Sequence, residues 1–281
     1  MFNVNKEKCI GCSQCVKDCP VSAISLNENK AEINNTTCFK CGHCIAICPV
    51  EAVSTDDYNM EEVIPYDKAK FTVDAENLLN FIKFRRSTRR FKNQKVEKEK
   101  IEKIIDAGRF TQTSTNSQDV SYTVVTDKLD ELKELAYESL KQKGEYILAN
   151  LTPETAYLER YAKMWVYFYD MYKKDKKNDK LFFNAPLAIF VSSPNVTNGT
   201  LASSNMELMT DALGLGTFFS GFLLIAAKDN QPMLDLLGVK DHNQLSSCLA
   251  PPINSTKYMS ENAEFLIFVY SCFSFFKNKK R

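Results

Sequence analysis

The stretch "CIGCSQCVKDCP", Cys9 to Pro20, sets four thiols into eleven residues, and nearly the same string returns as "CFKCGHCIAICP", Cys38 to Pro49. Both obey one pattern, Cys-x2-Cys-x2-Cys-x3-Cys-Pro. The likeness runs past the thiols: "CPVSAIS" at Cys19 reappears as "CPVEAVS" at Cys48, and Val4 and Asn5 reappear as Ile33 and Asn34 at the same offset. The segment is an internal duplication, not a chance clustering of cysteines.

The chain has 10 cysteines, and their spacing separates iron–sulfur clusters from zinc and disulfides. In the doubled bacterial run, the fourth cysteine of each repeat ligates the cluster of the other, which is why the motif comes in pairs. The spacing predicts one [4Fe–4S] cluster on Cys9, Cys12, Cys15 and Cys48, and a second on Cys38, Cys41, Cys44 and Cys19. Zinc sites use two cysteine pairs split by a longer loop, and need no three evenly spaced thiols with a distant fourth. Gly11 and Gly42 fall where backbone must fold tightly and point amides at sulfur. Pro20 and Pro49 close each ligand loop. From Met1 to about Asp57 the chain resembles a two-cluster bacterial ferredoxin, an electron carrier whose fully ligated clusters leave substrate chemistry to be done elsewhere.

Composition sets the outer bounds. With 281 residues, 44% hydrophobic and 25% charged, the chain suits two unequal soluble domains. Its 36 basic and 35 acidic side chains leave no global field to attract nucleic acid. The longest apolar run, "FLIFVYSCFSFF" at 265–276, falls short of the roughly 17–25 residues of a membrane span and reads as a buried strand. No secretory leader is evident at the start, so a reducing cytoplasm is the expected location. Cys248 and Cys272 read as buried apolar residues. His43 and His242 receive no acid–base role.

After residues 1–57, a polar linker is expected over 58–72 and a larger domain over 73–281. Asp74 is a candidate N-cap for a helix whose Leu78, Leu79, Phe81 and Ile82 make one apolar face. "VEKEKIEKIIDAG" reads as a helix ending at Gly108, "SYTVVTD" as a strand, and "KLDELKELAYESLKQKG" as a helix. "LFFNAPLAIFVSS" reads as a strand entered through Pro186, and "SSNMELMTDALGLGT" as a helix. The alternation predicts an α+β fold, a central mixed or antiparallel sheet wrapped by helices. The tyrosine-rich stretch at 144–180 reads as core or dimer contact, and its charged tail "KKDKKNDK" as a solvated loop.

"RRSTRRFKNQK", Arg85 to Lys95, is strongly basic but has no interleaved aromatic array, which favours a phosphate-bearing cofactor over nucleic acid, since guanidinium groups bind phosphate bidentately. "GLGTFFSG" lacks dinucleotide-fingerprint spacing and closes a helix, so no Rossmann domain is expected. Three elements, "RRSTRRF" at Arg85–Phe91, "TQTSTNSQ" at Thr111–Gln118 and "LGLGTFFSGF" at Leu213–Phe222, together resemble the flavin-dependent nitroreductase family over roughly Val73 to Ile253. The whole chain is similar to a ferredoxin–nitroreductase fusion.

What that resemblance implies is specific. The cofactor is FMN, and the protein is a homodimer with FMN at the interface. Arg85, Arg86 and Ser87 match positions holding the phosphate and ribityl chain. Arg89 matches the cation beside the flavin N1–C2=O edge, where positive charge stabilises the anionic reduced ring. Thr113, Ser114 and Asn116 match a loop reaching the flavin of the other protomer. Ser220 and Gly221 match the turn facing flavin N5. The usual C-terminal strand and basic residue of the family are missing, leaving Lys257 as the nearest phosphate partner. Arg89 and Ser220 are the expected catalytic pair. The implied function is an FMN oxidoreductase passing electrons from two [4Fe–4S] clusters through the flavin to a nitroaromatic or quinone-like acceptor. A reductase taking NAD(P)H directly, with external ferredoxin as partner, and a non-enzymatic electron relay or redox sensor stay open beside it. A dehalogenase or enoyl-type reductase on the same scaffold stays open too.

Overall fold

The computed structural model describes residues 1–92, 94–240 and 242–251; Lys257, Cys272 and the apolar run at 265–276 lie outside them. The duplication is visible in three dimensions. β1 (Phe2–Val4) pairs antiparallel with β4 (Val53–Thr55), and β2 (Ile24–Asn27) pairs with β3 (Lys30–Ile33). The short helices α1 (Gln14–Asp18) and α2 (His43–Ala46) each follow a cysteine loop. Phe2, Ile24, Ala31, Ala52 and Val53 form a small core between them, against which Cys15, Cys19, Cys38 and Cys48 pack.

Both cysteine loops need left-handed backbone at two places, and each supplies glycine at only one. Gly11 (φ +67°) is the counterpart of Lys40 (φ 56°), and Gly42 (φ +77°) of Ser13 (φ 64°). The conformation is set by the loop and not by the residue, since side chains with a Cβ accept it at a steric cost. At Gly11 no alternative exists: a Cβ there would stand 2.3 Å from the Asn29 carbonyl oxygen.

The larger part is built on one antiparallel three-stranded sheet, ordered β5 (Ser121–Val125), β6 (Ala188–Ser193), β7 (Gln244–Leu249). β6 is buried along its whole length, and its alternation divides the core. Ile189 and Val191 face α5 (Lys98–Arg109) and α8 (Val196–Ala212), meeting Ile104, Met206 and Leu249. Ala188 and Phe190 face the other way, toward α6 (Leu129–Ala149), α7 (Glu159–Lys174), α9 (Gly221–Ala227) and α10 (Gln231–Leu237). This is the expected α+β architecture, with three differences. Residues 181–187 form a structured approach to β6 and not part of the strand. The helix read from "SSNMELMTDALGLGT" starts earlier, at Val196. Gly108 lies inside α5, which ends at Arg109.

The charged stretch after α7 is also more than a solvated loop. Asp179 is 3% exposed and accepts from Tyr137 Oη (3.0 Å) and from the amides of Leu181, Phe182 and Asn184 (3.1, 2.9 and 3.2 Å), with Lys133 Nζ at 3.3 Å. Asp179 thereby fixes the entry to β6, and Tyr137 stacks on Tyr172 at 4.0 Å. Trp165 and Tyr172 are core, as read from the sequence; Tyr146, Tyr157 and Tyr167 are exposed. The helix after Asp74 is present as α4 (Ala75–Phe84), capped by that residue's side chain on the Asn77 amide. It follows the one-turn α3 (Lys68–Phe71). None of its residues is buried, so Leu78, Leu79, Ile82 and Phe84 are left open to solvent.

Gly11→Ala is expected to lower stability by at least about 2 kcal/mol, from the clash plus the positive φ, whereas Ser13→Gly is expected to raise it by up to about 1 kcal/mol. Chemical denaturation of the two variants beside the wild type checks both signs.

Candidate functional site

The first predicted ligand set comes together. Cys9, Cys12, Cys15 and Cys48 line one small pocket with Gly11, Ser13, Ala31 and Val53. Amides already face its sulfurs. Ala31 N–H donates to Cys9 Sγ (3.4 Å) and Ala52 N–H to Cys48 Sγ (3.2 Å). The amides of Ala31 and Gly11 hold the Cys9 thiol below its ordinary pKa. Donors aimed at sulfur, around a space walled by four thiols, suit a cluster with thiolate ligands.

The second set gathers around the other loop. Burial, with Cys38 and Cys41 as close neighbours, pushes the Cys44 thiol up to about 11. Lys40 N–H donates to Cys38 Sγ (3.3 Å) and Ala23 N–H to Cys19 Sγ (3.2 Å). A contact missed in the sequence joins the two short helices: Asp18 Oδ2 lies 3.2 Å from His43 Nδ1, tying the end of α1, next to Cys19, to the start of α2. His43 thus has a partner, in a joining role. Among the described residues no three His, Cys, Asp or Glu side chains form a group able to hold a single metal ion, and the thiols stand around spaces instead.

The basic segment docks on the loop before α9. Thr88 N–H donates to the Thr217 carbonyl (2.8 Å), and the Thr88 side chain presses against Gly216, where a Cβ would stand 2.7 Å from Thr88 Oγ1. That contact explains Gly216 as a close-approach residue. It brings Arg89 over the Phe183 ring (5.8 Å to the centroid); Phe183 meets Phe218 edge-on at 5.1 Å, and Phe91 stacks on Phe218 at 6.0 Å. Ser220 is the residue before α9, held by its amide to the Cys248 carbonyl (3.1 Å) and by Oγ to the Leu181 carbonyl (3.5 Å). Space is open beside Gly221. Arg89, Ser220 and Gly221 therefore flank one aromatic shelf. Cys248, beneath it, is fully buried, and burial drives its thiol pKa far up.

Arg85 and Arg86 are engaged within the chain. Arg85 Nη1 donates to Glu207 Oε1 of α8 at 2.7 Å, and Arg86 Nη1 donates to the carbonyls of Lys83 and, at 2.8 Å, Arg85. Ser87 is exposed. Glu207 was not singled out from sequence, where it looked like one polar position among many on α8. Burial raises its pKa, against the pull of Arg85.

Thr113, Ser114 and Asn116 sit at the other end of α8. Ser114 N–H donates to Asn198 Oδ1 (3.1 Å), and Asn198 Nδ2 reaches Ser117 Oγ (3.2 Å) and Asp119 Oδ1 (3.1 Å). Asn205 Nδ2 donates to Thr111 Oγ1 at 2.7 Å. Nine residues of helix between Asn198 and Glu207 span about 14 Å. The Ser114 end of the loop therefore lies away from the Arg85–Glu207 pair, whereas Thr111 is held two residues before Glu207. The loop instead meets the N-terminal module: Asn116 Nδ2 donates to the carbonyls of Phe39 (3.0 Å) and Lys40 (2.9 Å), and Arg109 pairs with Glu62 at 2.6 Å. A solvent-open cleft lies there between Cys41 and Tyr58 on one side and Phe110, Gln112 and Gln118 on the other.

A cysteine-walled electron-carrier module set against an α+β domain with a basic, aromatic shelf defines the class. Residues 82–250 match the model of the nitroreductase family, and residues 1–49 match that of a 4Fe-4S dicluster domain. The chain belongs to the nitroreductase family and carries an N-terminal 4Fe-4S dicluster domain. A nitroreductase with bound FMN from Bacteroides fragilis is 17% identical over 70% of this chain and 97% of its own, with a TM-score of 0.51, a likeness of fold. An FMN-dependent nitroreductase from Clostridium difficile is 18% identical over 70% and 99%, with a TM-score of 0.49. Comparison with curated proteins finds no match. No helix among the described residues is long and apolar enough to cross a membrane.

Asp211, one turn beyond Glu207, tests the electrostatics of this corner. Its Oδ2 is buried without a hydrogen-bond partner, and burial, then the Glu207 charge, push its pKa up to about 6 against the pull of Arg85. A carboxyl raised on folding stabilises the fold below its ordinary pKa of 3.8, and that stability is lost as pH rises through about 6. Asp211→Asn is expected to raise stability at neutral pH by about 1 kcal/mol and to flatten the dependence in that window, read from melting temperature against pH.

Proposed function

We propose that this chain is an FMN-dependent oxidoreductase that draws electrons through two [4Fe–4S] clusters in a domain at 1–57, joined by the segment 58–72 to an FMN domain at 73–281, and delivers them to a nitroaromatic or quinone-like acceptor. The observation that carries the reading is the convergence of Arg89, Ser220 and Gly221 on the Phe91, Phe183 and Phe218 shelf, in a chain whose cysteine loops abut the same domain. FMN, when bound, accepts electrons singly and gives two to an acceptor.

The chain's residues orient and polarise. Arg89 supplies positive charge at the shelf, and its ring contact with Phe183 keeps the guanidinium there. The Ser220 and Gly221 turn is held by Cys248 below it, so its backbone is preorganised and not adaptable. We assign the phosphate and ribityl chain to Arg85, Arg86 and Ser87, with Glu207 setting the Arg85 side chain. Lys257 is the proposed further phosphate partner. We assign the Thr113, Ser114 and Asn116 loop to the flavin of a second copy, a homodimeric site supported by the roughly 14 Å of α8 between Asn198, which holds Ser114, and Glu207, which holds Arg85. The open apolar face of α4 supports the same arrangement. Proton supply falls to solvent, since no acid among the described residues stands on the shelf. We place the protein in the cytoplasm, where its thiols stay reduced.

Arg89→Ala is expected to keep its iron and sulfide but to lose at least about tenfold in turnover of a nitroaromatic or quinone. Unchanged turnover in that variant would remove Arg89 from the site. Acid release of the flavin from anaerobically purified protein should give FMN, and comparison of reduced ferredoxin with NADPH as donor identifies the electron source.

A further inference from the structure

The two cluster sites differ in what surrounds them. The cavity of Cys9, Cys12, Cys15 and Cys48 is lined only by residues between Val4 and Val53. The loop from Cys38 to Cys44 instead faces the reductase domain: Cys41 shares a cavity with Arg109, Phe110, Thr111, Gln112, Asn116 and Gln118. The side chain of Asn116 reaches across to the Cys38–Cys44 loop.

Asn116 acts on a particular peptide unit. The peptide between Phe39 and Lys40 presents its N–H to Cys38 Sγ (3.3 Å) and its carbonyl to Asn116 Nδ2 (3.0 Å). Asn116 also donates to the next carbonyl, that of Lys40, at 2.9 Å. With two carbonyls as neighbours, the amide nitrogen must point at them. Its oxygen is fixed as well, accepting from Gln118 Nε2 at 3.1 Å, and Gln118 N–H is held by Thr113 Oγ1 at 3.0 Å. Thr115, Asn116 and Gln118 all carry left-handed backbone (φ 52°, 54° and 47°), the strain of a loop held in one shape by its contacts. In the first repeat the equivalent peptide has no such partner from the reductase domain among the described residues; the nearby side-chain donor is Lys30, whose Nζ reaches the Cys9 carbonyl at 2.6 Å.

A donor on a carbonyl polarises the whole peptide and strengthens the hydrogen bond made by its N–H. A stronger N–H bond to a ligand sulfur stabilises the reduced cluster, which carries one more negative charge, and so raises its reduction potential. We infer that Asn116 is a positioning residue for the Cys38, Cys41, Cys44 and Cys19 cluster, raising its potential through the Phe39–Lys40 peptide and holding that cluster, not the other, against the reductase domain. The inference rests on the reading that both motifs hold clusters.

The test is a redox titration of the full, reconstituted chain followed by EPR, which needs no turnover. Wild type carrying about eight irons secures the underlying reading, and a chain that takes up none refutes that reading independently. In Asn116→Leu with full iron, the midpoint of one cluster should fall while the other stays. Lys30→Gln should lower the second midpoint and leave the first, so the two signals are assigned by complementary shifts. No change of either midpoint in Asn116→Leu, or an equal fall of both, overturns the proposal. Where Asn116→Leu retains too little iron, Gln118→Leu frees the Asn116 amide without deleting it. A smaller fall of the same midpoint then supports the proposal, and none overturns it.

Discussion

A backbone that wraps a set of sulfurs must turn its N–H groups inward, and the carbonyls of the same peptides then point outward and need partners of their own. This constraint organises the molecule. It forces left-handed backbone at Gly11, Ser13, Lys40 and Gly42, and at Gly11, where Asn29 crowds the Cβ position, it selects glycine. It also leaves the carbonyls of Phe39 and Lys40 to be satisfied from outside the module. The reductase domain does so with one asparagine, so the requirement of a cysteine loop becomes a joint between two domains.

The other side of the joint is built on α8. Its apolar residues Ala202 and Met206 pack inward, while Asn198, Ser203, Glu207 and Thr210 are buried polar positions with work along its length. Asn198 and Asn205 brace the Thr111–Asp119 loop along its length, and Glu207, two residues beyond Asn205, holds Arg85. One rigid helix thus spaces Asn198, which holds Ser114 of the loop that meets the cluster module, from Glu207, which holds the basic segment. Because helices keep their rise, this spacing is a property of the fold and survives any rearrangement of loops.

The doubled cysteine motif was legible because spacing alone encodes it, and the α+β plan because helical and strand periods are strong in "KIEKIIDAG" and "AIFVSS". The grouping of Arg89 with Ser220 and Gly221 came through family likeness, and the docking of Thr88 on Gly216 gives it a physical cause. What stayed hidden were contacts made by ordinary polar residues across long sequence separations: Asp18 with His43, Asp179 beneath β6, Asn116 on the cluster loop, Glu207 on Arg85. No periodicity marks such residues, since each is defined by a partner the linear text does not place beside it. The open face of α4 was hidden for the reverse reason, because its pattern promises burial that the single chain does not provide.

The most direct measurement is an anaerobic dithionite titration of the purified chain, counting electrons taken up per protomer while following flavin and cluster absorbance. Two clusters at one electron each and one flavin at two predict about four equivalents, with both chromophores bleached in the same titration. About two equivalents, with only one kind of chromophore responding, would contradict a protein that stores and passes electrons through both.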